Sequence, residues 1–404
     1  MTDVKRDVKR DVKRGREFFH TPGPTNIPDR VLSAMHKPAV DFTAPDFVAV
    51  TRSCFEDLKP VFQTTGPVFM YAANGHGAWE AALTNTLSPG DHLLIPETGN
   101  FSLKWGMMAE SLGLVIEHLP GDWRHGIDPD AIEAHLGEDD EGRIKAVLMI
   151  HVDTASGIIS DVPAVRKAMD NANHNALFMV DTIASLATVD FQMDEWGVDV
   201  SLAASQKGLM CPPGIGFTAC SEKALHATQS ARLPRNYWDW KERMTDAQYI
   251  RFCGTAPVQM IYGLREALDM LAEEGMAATI ARHDRLASAI RAAVEVWSSG
   301  NGSGGMAFNA MVPEQRSNSI TAIRVPAGFD AEEVRVVARE QYQVALGGGL
   351  EQLKGVVFRI GHMGDLNEPM TLGALAGVEA ALQTVGVPHG RGGVSAAIDY
   401  LVEH

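Results

Sequence analysis

The sequence predicts an α/β protein built on a mostly parallel sheet with helices on both faces. Strand-like runs recur along the chain at residues 115–119, 146–150 and 176–180, the last two apolar throughout, with helical stretches between them. Apolar runs without alternation are typical of strands buried on both faces of a parallel sheet. Repeated strand–helix units of this kind imply a sheet covered on both sides by helices.

The composition is that of an ordinary globular protein. The chain has 404 residues, enough for a large core and two domains, with 45% hydrophobic and 21% charged residues. Its formal net charge of −16 argues against a general nucleic-acid binder. The four cysteines have no metal-binding spacing, so we expect free thiols and no metal site. Since we find no membrane-spanning apolar run and no signal peptide, we expect a cytoplasmic protein without a membrane partner.

The N-terminus begins with a charged repeat. Residues 3–14 read Asp-Val-Lys-Arg three times, and such a segment cannot bury a core. We therefore expect residues 1–20 to form a disordered arm. A turn-rich segment follows from Thr21, and we expect it to open a large domain that covers residues 21–280. A long helical stretch reaching about Trp297 should join it to a small C-terminal α/β domain over residues 281–404.

A small-residue turn lies between the first strong strand and its helix. Residues 68–71 form the strand, and Asn74, Gly75, His76 and Gly77 lead into the helix. The first N–H groups of a helix are unpaired and lie at the positive end of its dipole, so they suit a phosphate. A plain helix cap is the alternative for such a turn taken alone.

Two further apolar runs end in groups that carry chemistry. The run at residues 176–180 stops at Asp181, and the small-residue run at 201–205 leads to Lys207. Both side chains should reach the carboxyl edge of the sheet, where open α/β sheets bind ligands. A structural ion pair is the alternative. An amine for a Schiff base and a carboxylate for a pyridinium nitrogen together suit pyridoxal phosphate (PLP).

With Arg359 and the Pro-Pro-Gly turn at residues 212–214, these motifs resemble the class V aminotransferases of PLP fold-type I. Within that family the sequence is most similar to the serine–glyoxylate and alanine–glyoxylate aminotransferase branch. The resemblance extends from Thr21 to Val394 and is strongest around Asp181, Lys207 and Arg359. It implies an aspartate-aminotransferase-like fold, in which the large domain holds a mostly parallel seven-stranded sheet and a small C-terminal α/β domain follows.

The resemblance also implies roles for individual residues around the cofactor. Lys207 would form the Schiff base and then move a proton between the substrate Cα and the cofactor, while Asp181 would keep the ring nitrogen protonated. The remaining positions implied to bind the cofactor hold its phosphate, stack on its ring or lie beside it: Asn74, Gly75, His76, Gln206, Phe101 and Thr154.

Substrate and partner-subunit positions follow from the same resemblance. Arg359 would bind the substrate α-carboxylate through its planar fork, and Gly23 would contact the substrate from the N-terminal segment. Thr255 would reach the phosphate of a neighbouring subunit, whereas Phe252 lacks the hydroxyl that the family commonly has there. We therefore expect a homodimer, with a dimer of dimers as the alternative.

The resemblance implies transfer of an amino group from a small L-amino acid to glyoxylate, giving glycine and a 2-oxo acid. Serine is the favoured donor, alanine and aspartate are alternatives, and pyruvate is the alternative acceptor. A class V PLP lyase of the cysteine-desulfurase kind is disfavoured. Such enzymes carry a histidine before the lysine and a late catalytic cysteine, whereas this chain has Gln206 there and no cysteine after Cys253.

Overall fold

The computed structural model describes residues 14–299 and 305–404 as alternating strands and helices. The elements in chain order are β1 (Phe18–His20), α1 (Asp29–Met35), α2 (Pro45–Phe62), β2 (Val68–Ala73), α3 (Gly75–Thr86), β3 (His92–Pro96), α4 (Asn100–Ser111), β4 (Val115–Leu119), α5 (Pro129–Gly137), β5 (Ile144–Ile150), β6 (Val152–Asp153), β7 (Ile158–Ile159), α6 (Val162–Asn171), β8 (Leu177–Asp181), β9 (Val200–Ala204), β10 (Gly214–Cys220), α7 (Glu222–Ala227), α8 (Trp240–Arg243), α9 (Gln248–Arg251), α10 (Val258–Glu274), α11 (Met276–Ser298), β11 (Ala307–Phe308), β12 (Ile320–Arg324), α12 (Ala331–Tyr342), β13 (Val344–Gly348), β14 (Val357–Gly361), α13 (Glu368–Val385) and α14 (Gly393–Glu403).

The larger sheet has seven strands in the order β2-β10-β9-β8-β5-β3-β4. Strand β10 runs antiparallel to both of its neighbours, and the other adjacent strands pair in parallel. All five residues of β8 and of β9 are buried, which explains why their sequences are apolar without alternation. The predicted seven-stranded, mostly parallel sheet is confirmed.

Helices cover both faces of this sheet, and the side chains of each strand divide between them. Val147 and Met149 of β5 belong to one apolar cluster, which also includes residues of α2, α6 and α10. Leu148 and Ile150 of the same strand belong to a second cluster, together with Trp79 of α3. This period of two follows from the alternation of side chains along a strand.

The smaller sheet combines the two ends of the chain. Its order is β1-β13-β14-β12-β11, and β1 pairs in parallel with β13 through Phe18 and Val344. The expected disordered arm over residues 1–20 is therefore too long at its C-terminal end, because Phe18–His20 form a strand. Residues 1–13 of that arm lie outside the described residues.

The long helical stretch expected up to Trp297 is two helices rather than one. Gly275 separates α10 from α11 with a φ of +83°, a left-handed conformation that favours glycine. The proposed boundary between residues 280 and 281 falls inside α11. Since the smaller sheet also takes β1 from the N-terminus, a division of the chain into consecutive ranges only approximates the two units.

Three buried histidines, named here the histidine cluster, connect the N-terminal segment to the C-terminal unit: His20, His283 and His362. His20 Nδ1 lies 2.9 Å from the Gly361 carbonyl, and His283 Nε2 accepts from the Gly364 N–H at 3.0 Å. Burial lowers the pKa of His20 and of His283 to about 4, and that of His362 well below its usual range. The cluster is therefore neutral in the native state near pH 7.

The cysteines are free thiols, with Cys54, Cys211 and Cys220 buried and Cys253 exposed. Within residues 14–299 and 305–404, His, Cys, Asp and Glu side chains form no group of three placed to hold a metal ion. The same part of the chain contains no helix both long and apolar enough to cross a membrane.

Candidate active site

The two residues singled out by the strand-end pattern meet at one edge of the larger sheet. Asp181 is the last residue of β8, and Lys207 follows the end of β9. These strands pair in parallel, with Asp181 opposite Leu202, so their carboxyl ends point the same way. Such an edge is where α/β sheets bind ligands.

A cavity of about 290 Å³ opens at this edge. The residues that line it come from the N-terminal segment, the β2–α3 turn, the start of α4 and the ends of β5, β8 and β9: Gly23, Pro24, Asn74, Gly75, His76, Trp79, Phe101, Ile150, Val152, Thr154, Asp181, Ile183, Ala184, Gln206, Lys207 and Pro213. The structure thus brings together every predicted cofactor residue except Thr255. Of the two predicted substrate residues, Gly23 lines the cavity and Arg359 does not.

Asp181 is a buried carboxylate with two hydrogen-bond donors. Its Oδ1 accepts from the Ile183 N–H and its Oδ2 from Trp79 Nε1, both at 2.7 Å. Burial raises the pKa of Asp181 to about 7, against the lowering effect of these two donors and of Lys207. A carboxyl group with this pKa can hold or release a proton near neutral pH.

Lys207 lines the same cavity and is half-buried. Burial, reinforced by the charge of Arg359, lowers the pKa of its amine to about 8. About a tenth of the amine is therefore unprotonated at pH 7, far more than for an ordinary lysine, and the unprotonated form is the nucleophile. The Nζ atom donates a hydrogen bond to the carbonyl of Pro22, which ties the N-terminal segment to the cavity.

Gly23 is positioned directly against that lysine. Its φ is +131°, which side chains rarely permit, and a Cβ at this position would collide with the Lys207 side chain. The close approach of the N-terminal segment therefore depends on glycine here. Gly23 is placed to contact whatever occupies the cavity beside the amine.

The start of α3 forms a second wall. Asn74 caps the helix, since its Oδ1 accepts from the His76 N–H at 3.1 Å. Gln206 lines the same cavity, and its buried Oε1 has no hydrogen-bond partner among the described residues. Burial and the charge of Lys104 lower the pKa of His76, so its imidazole is neutral near pH 7. The unpaired N–H groups at the start of a helix are suited to an anion.

Phe101 lies in the first turn of α4, where a buried carboxylate fixes its backbone. Its N–H donates to Asp153 Oδ2 at 3.0 Å, and the Ala155 N–H donates to Asp153 Oδ1 at 2.9 Å. Burial raises the pKa of Asp153 to about 6. The Phe101 ring packs edge-on against Trp79, with centroids 6.3 Å apart.

Arg359 lies on β14 of the smaller sheet and contacts Thr154, one of the residues that line the cavity. Its Nη1 donates to the Thr154 carbonyl at 2.5 Å and its Nε to the Gly348 carbonyl at 2.8 Å. Burial lowers the pKa of its guanidinium to about 10, while the charge of Asp153 opposes that shift. The residue is 7% exposed, so it is a largely desolvated cation next to Thr154.

Thr255 stands apart from the cavity. It is exposed on the surface between α9 and α10, whereas Phe252 is buried and packs on Phe55 with ring centroids 6.2 Å apart. Phe252 therefore belongs to the core of its own subunit, in keeping with its missing hydroxyl. The position of Thr255 leaves it available to a neighbouring molecule.

Two functional candidates were not found from the sequence. Asp153 carries the same signal as Asp181, a carboxylate just beyond an apolar strand, and the strand-end rule should have selected it. Trp79 carries no such signal, because a tryptophan in a helix is usually a core residue. Its hydrogen bond joins residues 102 positions apart, so only the folded structure reveals it.

Comparison with known proteins identifies the family. The sequence profile of the class-V aminotransferases matches residues 68–361, and the chain belongs to this family. It is 44% identical over 397 residues to the serine–glyoxylate aminotransferase of Methylorubrum extorquens, covering 96% of this chain and 97% of the relative. The L-aspartate–glyoxylate aminotransferase of Paracoccus denitrificans is 41% identical over 381 residues, covering 94% of each.

Solved structures agree with this assignment. The crystal structure of ureidoglycine–glyoxylate aminotransferase from Bacillus subtilis matches with a TM-score of 0.87 and 26% identity, covering 98% of this chain and 100% of the other. The predicted aminotransferase fold, PLP fold-type I, is confirmed, and so is the predicted family.

Proposed function

We propose that the chain is a PLP-dependent aminotransferase that passes the amino group of a small L-amino acid, serine in first place, to glyoxylate. The products are glycine and a 2-oxo acid. The observation that carries the proposal is the presence of Asp181 and Lys207 in one buried cavity at the carboxyl edge of the sheet. The serine–glyoxylate activity of the Methylorubrum relative supports the choice of substrates.

The residues lining the cavity fit PLP. The N-terminus of α3 lines the cavity with the unpaired N–H groups that suit a phosphate, and Gln206 in the same lining can donate through its side-chain NH₂ group. Phe101 offers an aromatic ring at the same cavity, and Asp181 offers a buried anion for a protonated ring nitrogen. Lys207 supplies the amine that holds the aldehyde.

Each of these residues has a distinct task in the proposed reaction. When bound, PLP supplies an electron sink that weakens the Cα–H bond of the amino acid. Lys207, with a pKa near 8, takes the Cα proton and returns it. Asp181 stabilises the ring-nitrogen proton, and its own two hydrogen bonds favour the anionic form that this requires. Arg359, which lies beside the cavity-lining Thr154, would orient the α-carboxylate through the N–H groups that its two carbonyl partners leave free.

The charges in the cavity favour a small uncharged donor over aspartate. Lys207 is the only lysine or arginine among the described residues that line the cavity. Lys104 is paired with Glu351 at 3.3 Å and Arg235 with Asp239 at 3.6 Å. A second carboxylate on the donor would therefore lack a dedicated cation from this subunit. Alanine and pyruvate remain the alternative donor and acceptor, and aspartate is supported by the Paracoccus relative.

The enzyme is further proposed to act as a homodimer, with a dimer of dimers as the alternative. Thr255 is exposed, and three apolar side chains near it in the sequence are unusually open to solvent: Met244 (59%), Tyr249 (62%) and Ile250 (49%). Exposed apolar side chains that cluster in this way are typical of an interaction surface. Through this surface Thr255 would reach the phosphate in the partner's cavity.

Transfer of a labelled amino group tests the proposed reaction. The PLP-loaded enzyme is incubated with ¹⁵N-serine and glyoxylate, and the expected result is ¹⁵N-glycine in NMR spectra, faster than with alanine or aspartate as donor. Pyruvate in place of glyoxylate tests the alternative acceptor. Release of labelled ammonia without labelled glycine would instead indicate a lyase and overturn the proposal.

Subunit mixing tests the proposed dimer. Thr255→Ala and Lys207→Ala subunits are each expected to have weak or no activity, whereas their heterodimer contains one site with both residues intact. Activity should therefore reappear on mixing. A fully active monomer in sedimentation, or no recovery in verified heterodimers, contradicts the shared site.

A further inference from the structure

Trp79 is buried on α3, one turn beyond Gly75, and it lines the cavity. Its ring stacks on Trp105 at a centroid distance of 5.8 Å and an interplanar angle of 14°. Packing thus holds the indole in one orientation. In that orientation its N–H points at Asp181 Oδ2, 2.7 Å away.

This hydrogen bond is the one side-chain donor that Asp181 receives from the described residues. The other donor is the backbone N–H of Ile183, two residues along, which the local turn fixes. Trp79 instead reaches Asp181 from a different element, the helix α3. A hydrogen bond to a buried carboxylate is charge-assisted and stabilises the ionised form strongly.

We propose that Trp79 is a positioning residue whose indole N–H keeps the Asp181 carboxylate ionised and correctly oriented, ready to receive the protonated ring nitrogen of PLP. This inference rests on the proposed function, because it assigns Asp181 to that nitrogen. The residue acts through Asp181 and takes no part in proton transfer itself.

The charges around Asp181 make this hydrogen bond important. Burial raises the pKa of Asp181 to about 7, and the charge of Asp153 raises it further. The charge of Lys207 lowers it, and Lys207 is also the residue that would hold the aldehyde of PLP. His76, on α3, is kept neutral by burial, and Arg359, on β14, exerts its effect on Asp153 and Lys207. The indole N–H is therefore one of few groups that stabilise the anion.

Trp79→Phe removes the donor and keeps an aromatic ring. Loss of a hydrogen bond to a charged group should raise the pKa of Asp181 by about one to two units. Near pH 7 the carboxyl of the variant would then be protonated and would have to lose that proton when PLP binds. PLP affinity should fall about tenfold near pH 7, whereas near pH 9.5 the carboxyl is ionised with or without the donor and the difference should disappear.

Trp105→Phe is the matched control. Trp105 is fully buried in the same stack, but its Nε1 has no hydrogen-bond partner among the described residues. The two variants lose the same atoms from neighbouring positions, and only Trp79→Phe loses a bond to Asp181. Calorimetric titration of the apoproteins with PLP, near pH 7 and near pH 9.5, compares them with the wild type.

The proposal predicts that Trp79→Phe binds PLP more weakly than Trp105→Phe near pH 7 and equally near pH 9.5. Equal affinities near pH 7, or a difference that is the same at both pH values, would show that Trp79 serves packing alone. If wild-type protein binds no PLP at either pH, the proposed function fails instead. Should Trp79→Phe not fold, benzothienylalanine at position 79 replaces the N–H by sulfur within the same ring shape, and the same comparison applies.

Discussion

Replacing Arg359 by lysine tests how the substrate carboxylate is held. In the structure the guanidinium spans two carbonyl acceptors, Thr154 at 2.5 Å and Gly348 at 2.8 Å, through different nitrogens. An ammonium group keeps the charge but cannot span both acceptors and still offer a planar pair of donors to a ligand. Both the orientation of the cation and its bidentate contact with a carboxylate should therefore be lost.

The size of the effect follows from burial. Arg359 is 7% exposed, and the charge of Asp153 partly compensates its own charge. Disrupting the desolvated charge pair between Arg359 and the substrate carboxylate should cost about 2–5 kcal/mol. This corresponds to a loss of roughly one and a half to three and a half decades in kcat/KM. Arg359→Ala should lie at the upper end, because it also leaves Asp153 without its compensating cation.

Single-turnover measurements separate the two halves of the reaction. The donor half uses serine and the PLP-loaded enzyme, and the acceptor half uses glyoxylate and the aminated enzyme. Because both substrates carry an α-carboxylate, Arg359→Lys should slow both halves to a similar degree while PLP content is unchanged. Arg324→Lys, on the neighbouring strand β12, controls for a change of arginine in the same sheet. A defect confined to one half-reaction, or loss of PLP, would refute the role as a common carboxylate clamp.

Two further predictions concern the N-terminal segment and acid stability. Gly23→Ala should displace the Lys207 side chain and reduce covalent PLP binding, measured by absorbance. Gly113→Ala is the control, because Gly113 also has a positive φ but has open space around it, and this variant should bind PLP normally. Equal PLP content in both variants would contradict the close approach of Gly23 to Lys207. The histidine cluster is neutral when folded, with pKa values lowered below the unfolded value near 6.5, so its stabilising contribution is complete above that pH and is lost as the pH falls toward 4. His283→Gln should make the free energy of unfolding, measured in urea titrations, less dependent on pH between about 6.5 and 4. The difference should amount to on the order of 3 kcal/mol at the acid end. An unchanged dependence of the unfolding free energy on pH would contradict a neutral His283 in the folded state.

Local patterns in the sequence predicted the sheet and pointed to Asp181 and Lys207, whereas most of the other cavity residues were implied by the family resemblance. Apolar runs that stop at a polar residue led to Asp181 and Lys207, and parallel pairing of β8 and β9 brings both to the same edge. The helix-start rule led in the same way to Gly75 and its neighbours. These features depend on short stretches of sequence, so they can be predicted before the fold is known.

Features that depend on distant contacts were not predicted. Strand β1 has only three residues, and it exists because β13, more than three hundred positions later, pairs with it. The hydrogen bond from Trp79 to Asp181 likewise needs α3 packed on the sheet. Arg359 is the middle residue of β14 rather than the end of a strand, and its hydrogen bond to Thr154 joins residues that only the folded structure brings together.

The most direct test of the proposed function is to locate the lysine that carries PLP. Borohydride reduction of the PLP-loaded enzyme fixes the cofactor on its lysine, and peptide mass spectrometry then identifies the site. We expect label on Lys207 alone, although the N-terminal repeat contains three further lysines at positions 5, 9 and 13. Lys207→Ala should remain unlabelled and inactive. Label on another lysine of the wild type, or transaminase activity in Lys207→Ala, would contradict the central claim.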